Sequence, residues 1–494
     1  MTRGRWWVLG ALAVALLTFG LDATILNVAL PVLATDLHAS TGQLQWFANS
    51  YTLVLAAGLL PAGLLGDRFG PRRLLIGGLA LFGLASLACA FAGSSAMLIT
   101  ARAVLGIGAA FMVPLSNSVL TTLFPAGERA RAIAVLTMAM ALGIPLGPVL
   151  GGWMLDTFWW GSVFLINVPL VVLGIIALFW LLPSIPGQPD RRIDMTGILL
   201  SSLGLMGITY GLVTAGDKGW GSSAALVPAV GGFVALVALV MWLRRSANPL
   251  FSLKLFASPG FSWGVLMATL GSFALMGVMF VLPQYFQAVQ GSDSLRTGLK
   301  LLPIVGGLLA GAQVADRLRP ALGAKILVAV GFAIMAASLA VGTQTAAADG
   351  YGFVAIWVSG IGVGIGFSLP PSMDLAMGAL ETGHTGVGSA LLQALRQVGG
   401  TLGVAILGTV LNSGYRAGVT GPAADSPAAG VHIAQGDPGL LAAVRSAFMS
   451  GMADMLWVCT GFAVVGGILT ILFLPRRAED VERTESGHEY VSVG

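Results

Sequence analysis

An all-α polytopic membrane protein crossing the bilayer fourteen times is predicted for this 494-residue chain by three observations. Hydrophobic residues make up 56% of it and charged residues only 9%, with mean hydropathy +0.89, whereas ordinary soluble domains carry about 25% charge. Apolar stretches of about 20 residues, long enough to span a bilayer, recur from one end of the sequence to the other. Short motifs also return at an offset near 250 residues: Asp67-Arg68 recurs as Asp316-Arg317, and Gly106-Ile107-Gly108 before Pro114 recurs as Gly360-Ile361-Gly362 before Pro370.

Taken in order, the spans fall at residues 6–30, 45–65, 74–93, 97–119, 131–155, 161–182, 196–214, 223–243, 261–283, 297–315, 324–343, 352–376, 390–411 and 450–474. With the N-terminus cytoplasmic, roughly eighteen Lys and Arg lie inside and about four outside. The inner set includes Arg3, Arg5, Arg68, Arg72, Arg73, Arg191, Arg192, Arg244, Arg245, Arg317, Arg476 and Arg477. Both termini are then cytoplasmic. Arg3 and Arg5 ahead of an apolar run suit a signal peptide as well, but no small-residue cleavage site precedes Asp22, so the first span reads as an uncleaved helix. Trp6, Trp7, Trp46, Trp159, Trp160 and Trp220 sit near span ends, as an interfacial belt requires.

The repeat pairs span n with span n+8, which divides the chain into a six-helix half (1–185), an inserted and peripheral pair of spans (186–250) and a second six-helix half (251–475). Segment 412–449, rich in Ala, Gly, Pro and Asp, reads as a mobile outer loop, with a short hairpin or lid as the alternative, and 476–494 as a disordered cytoplasmic tail.

Several function classes lack support. The charges are dispersed among short loops, so nucleic acid is not the expected partner. Cys89 and Cys459 lie far apart in apolar spans and read as small core residues rather than a disulfide or metal site. His38, His384, His432 and His488 are scattered, and neither HExxH nor a phosphate-binding loop occurs, so no enzyme chemistry and no metal are expected.

The chemistry concentrates elsewhere. Gly143-Ile144-Pro145-Leu146-Gly147-Pro148-Val149-Leu150-Gly151-Gly152 would be ruinous in a soluble helix, where interior Gly costs roughly 1 kcal/mol and Pro roughly 3 kcal/mol. In a membrane bundle the same run allows close backbone approach. Asp22 lies about 12 Å before the end of the first span and Arg102 about 8 Å in from the same face, so the two stand at comparable depth. Burial favours a protonated carboxyl and a nearby guanidinium favours the carboxylate, so a movable Arg can switch Asp22 between proton uptake and release. A static structural ion pair is the alternative. Arg396 in helix thirteen is expected to reach Asp374 near the inner end of helix twelve, and Lys300, near the outer end of helix ten, to snorkel to the interface.

These residues resemble the fourteen-helix drug:proton antiporter family of the major facilitator superfamily. The run Gly143, Gly147, Pro148, Gly151, Gly152 resembles its antiporter motif, and Leu21-Asp22-Ala23-Thr24-Ile25-Leu26-Asn27-Val28-Ala29-Leu30-Pro31 its first-helix signature. Gly63-Leu64-Leu65-Gly66-Asp67-Arg68-Phe69-Gly70-Pro71-Arg72-Arg73 resembles the superfamily's cytoplasmic gate, Arg102 to Gly108 its fourth-helix motif, and Trp160 to Pro169 extends the match beyond helix five. The second gate copy departs, with Ala315 where the first has Gly66. The resemblance implies the major facilitator fold and a proton-coupled exporter by alternating access in the plasma (inner) membrane of a bacterium. It further implies proton coupling at Asp22 and Arg102, a gate in which Asp67 caps a helix N-terminus while Arg68 and Arg72 pair with carboxylates or lipid phosphate, no cofactor beyond the proton gradient, and a monomer among lipids.

A substrate pocket between the halves is expected from Asn27, Tyr51, Met138, Phe273, Met276, Phe280, Gln284 and Gln393. Related exporters of dications carry extra carboxylates in helices ten and thirteen, and this chain has none there. One proton exchanged for a dication works against the membrane potential, so neutral or monocationic lipophilic substrates are expected, with zwitterions left open. A dedicated exporter of one endogenous metabolite or antibiotic is the alternative. An importing symporter shares the fold but would not be expected to carry the full Gly143–Gly152 motif.

Overall fold

The computed structural model describes residues 2–187, 194–219, 221–246, 249–379, 385–434 and 436–474, and these form helices without a strand. The sequence readings on Arg191, Arg192, Trp220, His384, the tail from 475 and the side chains of Arg3 and Asp67 fall outside what is described.

The first six crossings are α1 (Thr2–Asp36), α2 (Thr41–Phe69), α3 (Pro71–Ala90), α4 (Ser95–Leu123), α5 (Ala126–Thr157) and the broken pair α6 (Ser162–Leu165) and α7 (Asn167–Leu181). Next come α8 (Met195–Lys218) and α9 (Ser223–Arg245). The last six are α10 (Pro259–Gln284), short α11 (Ser294–Lys300) leading into α12 (Leu302–Gly342), then α13 (Tyr351–Gly378), α14 (Thr385–Gly418), short α15 (Pro427–Ile433) and α16 (Pro438–Phe473). Eleven described helical stretches are long and apolar enough to cross a membrane. α2 and α5 add two crossings, and Ser294–Gly342 turns back at Gly323 (φ 75°) to add another, giving fourteen. Both ends of the described chain therefore emerge on one face of the bundle, the terminal face. The other is the opposite face.

Many helices outrun their apolar spans, because polar caps satisfy the free amides beyond the hydrocarbon layer. Ser40 and Gln43 form a capping box on α2, and Asp437 caps α16, which starts well before residue 450. Segment 412–449 is accordingly no open loop. α14 runs on to Gly418, a 3-10 turn (Gly421–Ala424) and α15 follow, and the fully buried Tyr415 hydroxyl donates to Ala423 O at 2.7 Å. The apolar-span reading missed this because small residues and capping groups order the segment where long hydrophobic side chains are scarce.

α1 packs on α5, α2 and α7 on α4 and α3, and the last six crossings pack similarly among themselves. α8 and α9 meet through small residues, with Gly204, Gly207 and Gly211 facing Gly232 and Ala229. Buried Asp194 ties this pair down by accepting from Gly197 N (2.8 Å), Trp242 Nε1 (2.8 Å) and Leu250 N (2.9 Å). α8 also lies against α2 and α14, where Tyr210 meets the ring of Trp46.

The internal repeat is visible in contacts, with a different register. Gly106 faces Tyr51 O and Leu55 N as Gly362 faces Ile304 O and Leu308 N, while Gly108 meets Gly78 as Gly364 meets Gly331. The equivalent pairs are thus Gly106 with Gly362 and Gly108 with Gly364, the same offset as Pro114 with Pro370. The alternating glycines from Gly360 to Gly366 conceal this two-residue shift in the sequence.

Candidate proton-coupling site and interface

Asp22 is fully buried, and its carboxylate is held from two other helices. Oδ2 accepts from Arg102 Nη1 of α4 at 2.8 Å, and Oδ1 accepts from Asn167 Nδ2 of α7 at 3.0 Å. Arg102 is fixed in turn by a bond from Nε to Phe47 O (3.0 Å) and by the Tyr51 ring, 4.4 Å from its guanidinium carbon. Asn167 Nδ2 also reaches Ser86 Oγ at 3.3 Å. The helix break after Leu165 places Asn167 on the first turn of α7, pointing into this cluster. Its signal lies within the Trp160–Pro169 match, where a lone Asn two residues before Pro169 reads as a helix start.

Such a pair is chemically poised. Its attraction must offset the desolvation of both ions, and removing one partner strands the other, a cost of about 3–5 kcal/mol. The pair therefore joins α1 to α4 through one charge-dependent contact.

The glycine run packs α5 against the segment carrying Asp22. Added Cβ atoms at Gly143 and Gly147 would strike the backbone of Gly20 and Leu21 and the Thr24 hydroxyl, and at Gly151 the Ile25 side chain. Thr24 Oγ1 donates to Gly143 O at 3.2 Å across this contact. Gly152 faces the other half, against Ser294 and Leu295, and Pro148 O lies over Gly298.

That far end of α5 is part of a seal. The Asp156 carboxylate accepts from the backbone amides of Ser294 (3.2 Å) and Leu295 (3.0 Å) at the start of α11. Gln287 Nε2 donates to Val28 O (3.0 Å), Thr41 N to Asp425 O (2.9 Å), and Thr401 Oγ1 to Thr52 Oγ1 (2.8 Å). Among the described residues, hydrogen bonds between the first and last six crossings thus sit at the opposite face or midway, and none at the terminal face. The halves are closed together at the opposite face.

At the terminal face, Gly66 fits against the Leu115 side chain and Gly63 faces Pro114. Gly70 turns the chain with φ 92°, a conformation that favours glycine, beside Ile185 O and Gly187. The expected carboxylate partners of the arginines are not present among the described residues. Arg72 donates to Phe179 O at 2.6 Å and lies over the Phe179 ring, Arg68 lies over Phe69, and Arg73 is exposed. Arg72 meets a backbone carbonyl and a ring because this loop folds back on the end of α7.

The eight expected pocket residues fall into separate settings. Tyr51 belongs to the Asp22 cluster, and Asn27 is buried on α1. Phe273 packs on Phe462 (4.5 Å between ring centroids), and Gln284 Nε2 is spent on Phe280 O of its own helix at 2.9 Å. Phe280 is fully buried, whereas Met138 is largely exposed. Met276 touches the position of Gly400, and Gln393 Oε1 accepts from Arg396 Nη1 at 2.7 Å. The expected Arg396–Asp374 pair is corrected: Asp374 is paired with Arg319 at 2.5 Å, whose helix reaches it from the terminal face. Lys300 donates to Gln290 and Ser292, both at 2.7 Å, at the end of α11.

Residues 12–404 match the model of the Major Facilitator Superfamily. A multidrug efflux pump, LfrA, of Mycolicibacterium smegmatis is 34% identical, covering 94% of this chain and 96% of that protein. The tetracenomycin C resistance and export protein of Streptomyces glaucescens is 33% identical over 83% of this chain and 77% of its own length. Among solved structures, an inward-facing, unoccupied bacterial homolog of the human lysosomal transporter Spinster aligns at TM-score 0.65 with 17% identity, over 95% of this chain and 98% of that one. The chain is a multi-pass membrane transporter, not an enzyme, and its fourteen crossings and its relatives make it a member of the fourteen-helix drug:proton antiporter family of the Major Facilitator Superfamily.

Proposed function

We propose that this protein exports lipophilic small molecules from a bacterial cell by exchanging each for a proton taken up at Asp22. The observation that carries this reading is the buried Asp22–Arg102 pair set directly against the glycine run of α5. Proton uptake breaks the pair and frees α1 and α4, and the glycine-lined contact lets α1 and α5 move as packed backbones. The terminal face is the cytoplasmic one by the bias of Lys and Arg, so closure at the opposite face is the state that receives substrate from inside. The protein acts as a monomer surrounded by lipid in the plasma membrane, with the proton gradient as its only energy source and no cofactor.

One proton supplies about 2.3 kcal/mol per 100 mV and roughly 1.4 kcal/mol per pH unit. Substrates with no more than one positive charge, the neutral and monocationic classes included, are compatible with that supply. A second reading, a dedicated exporter of one endogenous metabolite or antibiotic, is favoured by relatives named as the tetracenomycin C export protein and the cephamycin export protein of Amycolatopsis lactamdurans.

The test is drug-dependent proton movement in reconstituted vesicles with a panel of neutral, monocationic and dicationic compounds. Gradient-driven transport of several members, lost in Asp22→Asn, is the expected result. Undiminished transport by the variant moves the proton site elsewhere, and transport of a single chemical type favours the dedicated exporter.

A further inference from the structure

Arg396 is a cation within the membrane span of α14 whose partners among the described residues are all neutral. Its Nε donates to Ser272 Oγ of α10 at 3.3 Å, and its Nη1 to Gln393 Oε1 at 2.7 Å and Met373 Sδ at 3.5 Å. Among the described residues no carboxylate lies within ion-pair distance, and the acid nearest in sequence to these partners, Asp374, is taken by Arg319. The three elements packed around the guanidinium, α10, α13 and its own helix, thus contribute a hydroxyl, a thioether and an amide.

The contrast with Arg102 is informative. Arg102 is 2% exposed, with the Asp22 carboxylate as its counter-ion, the Phe47 carbonyl on its Nε and the Tyr51 ring against its guanidinium. Arg396 is only partly buried, and its Nη2 makes no hydrogen bond to a described residue. Its Nε is held within the span by Ser272, about 20 Å along α10 from the terminal face. Intramembrane charges ordinarily pair with one another or mark a pathway. Here the missing counter-ion can come from what is transported.

We propose that Arg396, with Gln393 beside it, is a subsite for the carboxylate of an amphiphilic substrate. The open Nη2 offers two N–H groups to an anion, and the amide nitrogen of Gln393 is left to donate while its oxygen serves Arg396. Gly400, one turn on from Arg396 and against Met276, leaves an adaptable apolar wall for the lipophilic body. The seal at the opposite face leaves this part of the last six crossings on the side from which substrate arrives. The inference rests on the exporter reading and extends its substrates to zwitterions and monoanions. Charge movement agrees: a proton moving in and an anion moving out both run down an inside-negative potential.

Equilibrium binding to the purified full chain, with no gradient, separates this inference from proton coupling. The probes are dansyl-phenylalanine, its methyl ester and dansylcadaverine, which carry an anion, no charge and a cation on one fluorophore. Wild type should bind the acid about tenfold more tightly than the ester, the usual worth of a charge-assisted bond. Arg396→Gln should bring that ratio near one, with ester binding reporting that the variant is folded. Should Arg396→Gln not fold, Arg396→Lys and Gln393→Leu carry the comparison, each lowering the ratio about threefold or more. An unchanged ratio in the variants, or no preference for the acid in wild type, failure to bind any probe included, overturns the proposal. So does a preference that vanishes in phosphatidylglycerol nanodiscs and returns in phosphatidylcholine, which would assign Arg396 to a lipid phosphate. Asp22→Asn should keep the ratio even if it abolishes transport.

Discussion

The side-chain amide of Asn167 donates to Asp22 Oδ1 at 3.0 Å, on the carboxylate oxygen that Arg102 leaves free. The Asp22 carboxylate therefore sits in a three-residue arrangement in which one donor is charged and one is neutral. When Arg102 moves away, Asn167 can keep the orientation of the Asp22 carboxyl.

Replacing Asn167 by Leu keeps the volume and removes that donor. A hydrogen bond to a charged group contributes about 1.5–3 kcal/mol, so proton-coupled transport should fall roughly tenfold or more. Asn167→Gln should restore part of it. Transport assays in vesicles, with protein amount matched by fluorescence-detected gel filtration, check this, and full activity in Asn167→Leu would remove Asn167 from the site.

Arg102→Ala leaves the Asp22 carboxylate buried without its counter-ion. Stability should drop by about 3–5 kcal/mol, and adding Asp22→Asn to the same chain should recover most of it. Thermal unfolding of the two variants makes the measurement. The double variant should remain inactive in proton-driven transport, which distinguishes a coupling pair from a purely structural one.

Gly147→Val drives a branched side chain into Thr24 on α1. Overpacking of this kind costs about 1–3 kcal/mol and here also separates α1 from α5. The expected outcome is protein that can be purified but does not transport, with slower disulfide cross-linking between cysteines placed at Ile25 and Gly151, which face each other in the sealed state. Cross-linking at the wild-type rate would show that the helices close regardless.

Asp156→Ala removes the acceptor for two amides of α11 across the two halves. Loss of these charge-assisted bonds should shift the conformational balance about tenfold or more toward opening at the opposite face. A cysteine at Ser294, labelled by an impermeant maleimide from that face, should react correspondingly faster. Unchanged labelling would mean that the other contacts of the seal hold it without Asp156.

How far the sequence could be read follows from the range of each interaction. Fourteen crossings, the duplication, the placing of Asp22 and Arg102 at one depth and the close packing of the glycine run all depend on hydrophobic length and residue size along one helix, which are local properties. The second gate copy illustrates the limit: Ala315 against Gly66 was visible, but not that Asp316 and Arg317 would be exposed while Arg319 took Asp374.

By itself the sequence determined what kind of molecule this is, because a bilayer admits long apolar helices and little else, and because an isolated acid and base in such helices must meet. Tertiary structure alone decided which partners those charges found. Asn167 reached Asp22 because the chain breaks between α6 and α7 beside α1, Arg396 found no carboxylate among the described residues while Arg319 took Asp374, and Asp156 became a latch because the two halves are closed at one face. Those are contacts between helices distant in the chain, fixed by packing angles and kinks that no local pattern encodes.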